Sequence, residues 1–309
     1  MKHLHGAVVT PVGTANNNRG ETEGNTTTLQ KIVLNGEPYT TVSGEALRYA
    51  TRRGLQQEGL PVNRKFVEDG SHEWSGPFNP EKFVDDDAFG YMHAEGGKEE
   101  EIEGKKKKGK GKTEARRSRL EFCRAWSLTP YAGDVMQNFA SPGATPGAAK
   151  SVGDPTPYSA ETHTTRYQYG FSMTPGALKV PARAPNLVDA IMRLHTVGGN
   201  HARYLFDFAP EMIVFRWTDD SAPRILNGFR TDENGNVSIP DIIRKIEAGD
   251  INPKEVVIGG PVVADIARLK TLGVSVFPGV LAAAEEIKRR MKDGMDSTAP
   301  VILIPMPSA

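Results

Sequence analysis

The sequence has a single cysteine, Cys123, so no disulfide can form within the chain and no cysteine cluster can hold a metal. Its seven histidines are scattered, with none in HxxxH spacing, which argues against a histidine metal centre. No window approaches the roughly 18 consecutive apolar residues of a membrane-spanning helix. The opening stretch MKHLHGAVVTPVG lacks an apolar core followed by a small-residue cleavage site. No secretory signal is therefore expected, and the expected location is the cytoplasm. Net charge is absent too: 38 Lys and Arg offset 38 Asp and Glu. That balance excludes a uniformly basic nucleic-acid binder. Neither a metal nor a cofactor is expected.

The neutrality is a cancellation. Residues 1–56 carry a net +2, residues 57–103 a net −9, and residues 104–125 a net +8. Residues 126–206 return to +2 and residues 207–309 to −3. The 57–114 stretch is polar and Gly-rich, with Asp85-Asp86-Asp87, Glu99-Glu100-Glu101 and then Lys105, Lys106, Lys107, Lys108, Lys110 and Lys112. Such a run buries too little apolar area to offset its ordering entropy, so 95–114 reads as a mobile insertion. Its lysines suit either a solvated loop or an arm for a phosphate backbone. A second stretch, 136–164, is dense in Pro, Gly, Ala, Ser and Thr. That composition disfavours helix and regular sheet alike.

Ordered elements lie between these stretches. Residues 3–12 open with an apolar run that reads as a strand. Residues 26–34 and 37–42 are β-prone around an Asn35-Gly36 turn. Ser43 suits the N-cap of a helix over 44–55, with Glu45 at its positive end. Arg48 and Arg52 share a face of that helix, with Arg53 beside them, a surface for anions or for solvent. Residues 115–129 hold Arg116, Arg117, Arg119 and Arg124 among Leu120, Phe122, Trp126 and Leu128, an alternation that suits a strand. Residues 163–174 alternate Tyr167, Tyr169 and Phe171 with Arg166, Gln168 and Ser172, the period of a half-buried strand. Asn186 reads as a helix start with Asp189 as its capping partner, and Gly198-Gly199 as its end. YLFDF and EMIVFRW read as strands. Ser238–Asp241 reads as the cap of the next helix, closed by Gly249. EVVIGG, residues 262–272, residues 273–277 and residues 279–292 then read as a βαβα tail, half of a doubly wound sheet. Gly-Gly-Pro does not match a dinucleotide fingerprint.

Together these elements read as β-α-β-β-α-β with two long insertions. The fold class is α+β, an RRM-like (ferredoxin-like) palm with a C-terminal βαβα segment. The segments LHGAVVTPVGTANNNRGE, YTTVSGEALRYATRRGL, RLEFCRAWSLTPYAGD, TTRYQYGFSMTP and GGNHARYLFDFAPE closely resemble the DevR-type backbone subunit of CRISPR Cascade complexes. That is the repeated RAMP-superfamily subunit of type I-B systems. The resemblance covers most of the chain outside 57–114, and its motifs are long and in order.

The resemblance implies a non-catalytic subunit that polymerises along a guide crRNA, with a thumb displacing one base at regular intervals. The guide then pairs with target DNA in an R-loop. Partners would be crRNA, target DNA through the guide, further copies of the chain and other Cascade subunits, with no membrane. The implied organisation is a palm of 1–56, 115–135 and 163–217, a partly disordered finger insertion at 57–114, a thumb loop at 136–162, and a C-terminal segment at 218–309. Sequence-blind RNA holding needs amide and guanidinium donors. The candidates are Asn16, Asn17, Asn18, Arg19, Ser43, Gly44, Arg48, Arg52, Arg53, Arg116, Arg117, Arg119, Asn200, His201 and Arg203. Met136, Phe139 and Pro142 are candidates for the thumb wedge. Two other readings compete. One is a metal-independent CRISPR RNA-processing endoribonuclease using His201 as general acid or base. The other is a nucleic-acid-binding autoregulator. Interference and RNA-guided transposition would both use the same RNA-holding surface.

Overall fold

A computed structural model describes residues 1–16, 18–24, 26–67, 71–94, 99–102, 105–108, 113–140, 156–194, 196–198, 205–261 and 266–296. Of residues 18–21, 99–102, 105–108, 140, 156, 295 and 296 it describes the backbone alone. One nine-stranded sheet organises the chain. Its strands are β1 (His3–Val9), β2 (Lys31–Leu34), β3 (Glu37–Val42), β4 (Leu120–Phe122), β5 (Ala125–Ser127), β6 (Tyr167–Met173), β7 (Met212–Thr218), β8 (Val256–Gly259) and β9 (Ser275–Phe277). The order across the sheet is β9-β8-β7-β1-β6-β5-β3-β2, with β4 also pairing β6. Strand β1 runs antiparallel to both β6 and β7.

Both faces of the central strands are covered, which is why β1 and β7 read as nearly continuous apolar runs. Leu4 and Val8 of β1, Tyr167, Tyr169 and Phe171 of β6, and Ile213 and Phe215 of β7 face one core. Helices α1 (Gly44–Gln57), α3 (Ala184–Met192) and α6 (Val280–Asp296) close that side through Leu47, Leu55, Leu187, Ile191 and Ile287. The alternate residues Ala7, Val9, Met212, Val214, Val256 and Ile258 face a second core, closed by α4 (Pro240–Glu247) and α5 (Ile266–Thr271). The β2–β3 hairpin turns at Asn35-Gly36 with φ of 52° and 86°. These positive angles are why the turn uses this residue pair.

Several elements differ from the sequence reading. The tail is not a separate half-sheet: β8 pairs antiparallel with β7, and β9 runs parallel to β8, so both extend the main sheet. Helix α3 begins at Ala184, before Asn186, with Pro185 in its first turn where a missing amide costs nothing. That helix ends at Met192, ahead of Gly198. In the YLFDF segment, residues 205–208 form no strand. Phe206 and Phe208 instead fill the core from irregular chain, with ring centroids 5.5 and 5.4 Å from Tyr167. Ser238 pairs in a two-residue strand with Arg230 and does not cap α4, which starts after Ile239. The 115–129 alternation breaks at Cys123-Arg124, where β4 ends and β5 begins. The 136–164 stretch is regular sheet at both ends, Val135–Ala140 pairing antiparallel with Thr156–Glu161.

The largest departure is in the insertion. Asp85, Asp86 and Asp87 lie in the short helix α2 (Val84–Phe89) and are buried at 3%, 3% and 0% exposure. Asp85 accepts from the Asn63 and Arg64 amides and from Arg52 Nε. Asp86 accepts from Asn63 Nδ2 and the Asn79 amide. Asp87 accepts from Arg116 and Arg183 and from the amides of Lys179 and Val180. A run that looks solvated in sequence is therefore the anchor of residues 61–94 and 113–119. Further out, Glu99–Ile102 pairs antiparallel with Lys105–Lys108, so part of 95–114 is a regular hairpin. Burial pushes the Asp86 carboxyl up, so its charge works against the fold at neutral pH. Asp87→Ala is expected to cost about 3–5 kcal/mol, because it strands two arginines. Asp86→Asn keeps an acceptor oxygen and is expected to cost about 1 kcal/mol or less. Urea midpoints of the two variants check this. Equal losses would mean that the carboxylates do not anchor the insertion.

Candidate nucleic-acid interface

Beyond the C-terminal end of β1 and the N-terminal end of β6, the chain builds an arm. Its root is a two-stranded ribbon, Gly13–Ala15 paired with His163–Thr165. Above the root lies a four-stranded sheet in the order 135–140, 156–161, 26–29, 18–23. Thr156–Glu161 runs parallel to Thr26–Leu29, and the other pairs are antiparallel. Residues 18–23 and residues 135–140 are far apart in sequence, and this sheet brings them into one element.

The root is a polar latch centred on Glu161. Its carboxylate accepts from the Leu29 amide at 2.6 Å and from Lys31 Nζ at 2.5 Å. Its main-chain oxygen accepts from Asn16 Nδ2 at 3.1 Å. Lys31 also sits 4.8 Å over the Tyr131 ring. Burial and the neighbouring Glu161 push the Tyr131 hydroxyl up to about 12. Deeper in, Tyr167 Oη donates to Thr40 Oγ1 at 2.7 Å, and Thr40 lies 2.8 Å from His163 Nδ1. His163 Nε2 lies 3.2 Å from Thr129 Oγ1. Burial holds His163 below its ordinary value.

The sequence candidates fall into three groups. Asn16 is buried and works in the latch, while Asn18 and Arg19 lie in the arm strand Asn18–Glu23. Met136 and Phe139 lie on the opposite edge strand of the same sheet, and Phe139 is 69% exposed. The second group is turned to the insertion. Arg48 donates to the Phe89 carbonyl at 2.6 Å, Arg52 pairs with Asp85, and Arg116 pairs with Asp87. At the start of α1, Ser43 accepts from the Ala46 amide. A Cβ on Gly44 would stand 2.8 Å from the Phe122 carbonyl, so glycine permits this close packing. The first turn of α1 is thus closed by its own cap and by β4. Glu45 adds to it, held low by its backbone amide and by Ser43. The third group is outward. Arg53 is exposed, Arg117 is 79% exposed and pairs with Glu121, and Arg119 is half-buried. Asn17, Lys110, Lys112, Pro142, Asn200, His201 and Arg203 lie outside the described residues. Lys105 to Lys108 are described as backbone strand.

Sequence reasoning missed Glu161, His163, Thr40 and the aspartate triad as organising residues. One signal was available for the triad: three acids in the first turn of a short helix ahead of an arginine cluster. Among the described residues, no group of three His, Cys, Asp or Glu could hold a metal ion. Nor is any helix among them long and apolar enough to cross a membrane.

No family model matches the chain. Its shape is similar to a chain of a CRISPR RNA-guided surveillance complex, with a TM-score of 0.53 at 13% identity, covering 93% of this chain and 99% of that one. A second such complex, in a pre-nicking state, gives 0.56 at 12% identity, covering 94% and 99%. The fold is thus that of subunits found in RNA-guided surveillance assemblies. In sequence the chain is 46% identical over 304 residues to the CRISPR-associated protein Cas7/Cst2/DevR of Myxococcus xanthus (strain DK1622), covering 94% of this chain and 98% of that protein. The chain belongs to the Cas7/Cst2/DevR family.

Glu161→Gln removes the charge that holds Lys31 and Leu29. Amide hydrogen exchange in 135–140 and 156–161 is expected to quicken about tenfold, with β1 and β6 unchanged. His163 is held below 6.5 in the fold. Its contribution is therefore present above that value and is lost as pH falls through the folded value. Denaturant midpoints should drop between about pH 7.5 and pH 5, and less steeply in His163→Gln.

Proposed function

We propose that this chain is the crRNA-binding backbone subunit of a type I Cascade complex. It holds a guide along its length and presents it to target DNA. The observation that carries this reading is the arm, which sets a strand with the exposed Phe139 opposite the strand of Asn18 and Arg19. An apolar ring on a latched β-arm suits the displacement of one base at intervals, with stacking supplying affinity that does not depend on sequence. Family membership gives the same reading.

In this reading the strand order β7-β1-β6-β4/β5, with α1 and α3 as crossovers, is an RRM-like palm. Residues 57–114 are a finger, 136–162 the thumb, and 218–309 extend the palm. The exposed Arg53 and Arg117 and the half-buried Arg119 take phosphates, together with Arg19, Asn200, His201 and Arg203. Arg48, Arg52 and Arg116 serve by holding the finger. Copies pack along the RNA in the cytoplasm beside other Cascade subunits, and the chain performs no chemical step of its own.

RNA recovered with the complex from cells is expected to be repeat-spacer sequence. Arg53→Glu should weaken single-stranded RNA binding to about the same degree across sequences, with a smaller salt slope. Phe139→Ser should abolish the periodic pattern of base reactivity along bound guide while most affinity remains. Sequence-selective loss in Arg53→Glu would contradict backbone holding. Cleavage of repeat RNA without metal that disappears in His201→Ala would favour the endoribonuclease reading.

A further inference from the structure

Within the insertion, a hollow of about 550 Å³ has a lining that includes Trp74, Pro77, Phe78, Met92, His93 and Glu114. Two ribbons supply its walls. Arg64–Phe66 pairs antiparallel with His72–Trp74, and Tyr91–Ala94 with Thr113–Arg116, which sets Glu114 opposite His93. Phe78 joins the ribbons. Its ring stacks on Tyr91 at 4.4 Å and 6°, and meets Trp74 at 5.3 Å and 78°. Asn63 holds the connecting segment: its carbonyl accepts from the Ser75 amide at 2.8 Å, and its side chain accepts from the Gly76 amide at 3.1 Å. The Asn79 amide donates to the buried Asp86 at 2.8 Å. The hollow is thus built from the fold itself, which lowers the ordering cost of filling it.

Its chemistry is aromatic and acidic. Trp74 is 59% exposed and Met92 75%, so apolar surface is left to solvent around a concavity. Elsewhere the chain's own cations cover its rings: Arg48 and Arg52 stand 5.6 and 5.2 Å over Phe89, and Lys82 stands 5.0 Å over Phe83. No described cation lies over Trp74 or Phe78, and the lining includes no lysine or arginine. Glu114 is exposed and has no ion pair among the described residues; its Oε1 accepts from Tyr91 Oη at 3.1 Å. The arginine nearest in register, Arg116 opposite Tyr91, is committed to Asp87. A phosphate chain entering here would meet a carboxylate and no cation in the lining. A guanidinium would meet an indole face and a carboxylate, the two surfaces on which it stacks and donates in parallel. Its apolar stem would pack against Met92 and Pro77.

We propose that this hollow is a docking site for an arginine side chain presented by a protein partner. The carboxylate of Glu114 and the Trp74 ring without a cation select that occupant over a nucleic-acid strand. The inference stands independently of the RNA-holding reading.

The test uses the full chain with its nine methionines labelled at the methyl carbon and read by NMR. The peptide acetyl-Gly-Arg-Gly-amide should shift the Met92 signal saturably. Its citrulline counterpart, similar in shape but neutral, should bind about tenfold more weakly. Glu114→Gln should weaken the arginine peptide by a similar factor, and Trp74→Leu should remove most of the saturable shift. Unmoved signals from the buried Met173 and Met212 report that both variants are folded. Equal binding of the two peptides, or no saturable shift with either, would overturn the proposal. Oligothymidylate that moves Met92 at lower concentration than the arginine peptide would overturn it in favour of a nucleic-acid strand. Arginine binding by a chain that ignores RNA would uphold this site and overturn the proposed function. In the complex recovered from cells, Ala94→p-benzoylphenylalanine should cross-link to a protein segment that contains arginine. Cross-links to RNA alone, or to arginine-free segments alone, would overturn the assignment of the occupant.

Discussion

Everything in this chain is measured from β1. Six of its seven residues are buried, and it is hydrogen-bonded along both edges, to β6 and to β7. A strand so enclosed cannot slip by one residue without exchanging its two core faces. The register therefore fixes what happens at both of its ends. Past Val9 the chain continues into the ribbon that carries the arm. At His3 it borders a hollow lined also by Arg117, Arg119, Glu121 and Thr174. Two surfaces with different chemistry are held apart by one rigid strand.

The aspartate triad adds a second constraint of a different kind. It ties residues 61–94 to the arginines of α1, of the 113–116 strand and of the approach to α3. This arrangement also explains the charge pattern. Part of the negative block is spent inside the fold against arginines that would otherwise look like a ligand surface. The sum of −9 over 57–103 thus overstates the acidity of the insertion's exterior, and the arginines of α1 overstate the basicity of that helix's surface.

Much of the sheet was legible in the sequence, because its signals are local. Asn35-Gly36 marks the hairpin, Ser43 the helix start, and Tyr167, Tyr169 and Phe171 the buried face of β6. Residues whose role is set by distant partners were not legible. Asp87 meets Arg116 and Arg183, which lie 29 and 96 positions away. Glu161 meets Lys31 across 130 positions. Nothing within a helical or strand-length window distinguishes such a carboxylate from a solvated one. The 135–140 strand failed for the same reason: its Pro- and Gly-rich neighbourhood hides a partner strand that comes after the excursion. Of the candidate site, Asn18 and Arg19 and the distant Met136 and Phe139 come to lie in one sheet. The inward commitment of Arg48, Arg52 and Arg116 was not foreseen.

The parallel pairing of Thr156–Glu161 with Thr26–Leu29 has a consequence for the order in which the molecule is made. Each strand has an antiparallel neighbour close to it in sequence, but the seam between the two pairs joins strands from near the ends of a long stretch of chain, and loop closure of that kind is slow. The ribbon beneath it depends on β1 and β6 already being side by side. The seam of the arm is therefore expected to close after the sheet beneath it has formed. A newly made chain offers its apolar edge only once the body behind it is folded, so that edge is guarded by folding order as well as by any partner that later covers it.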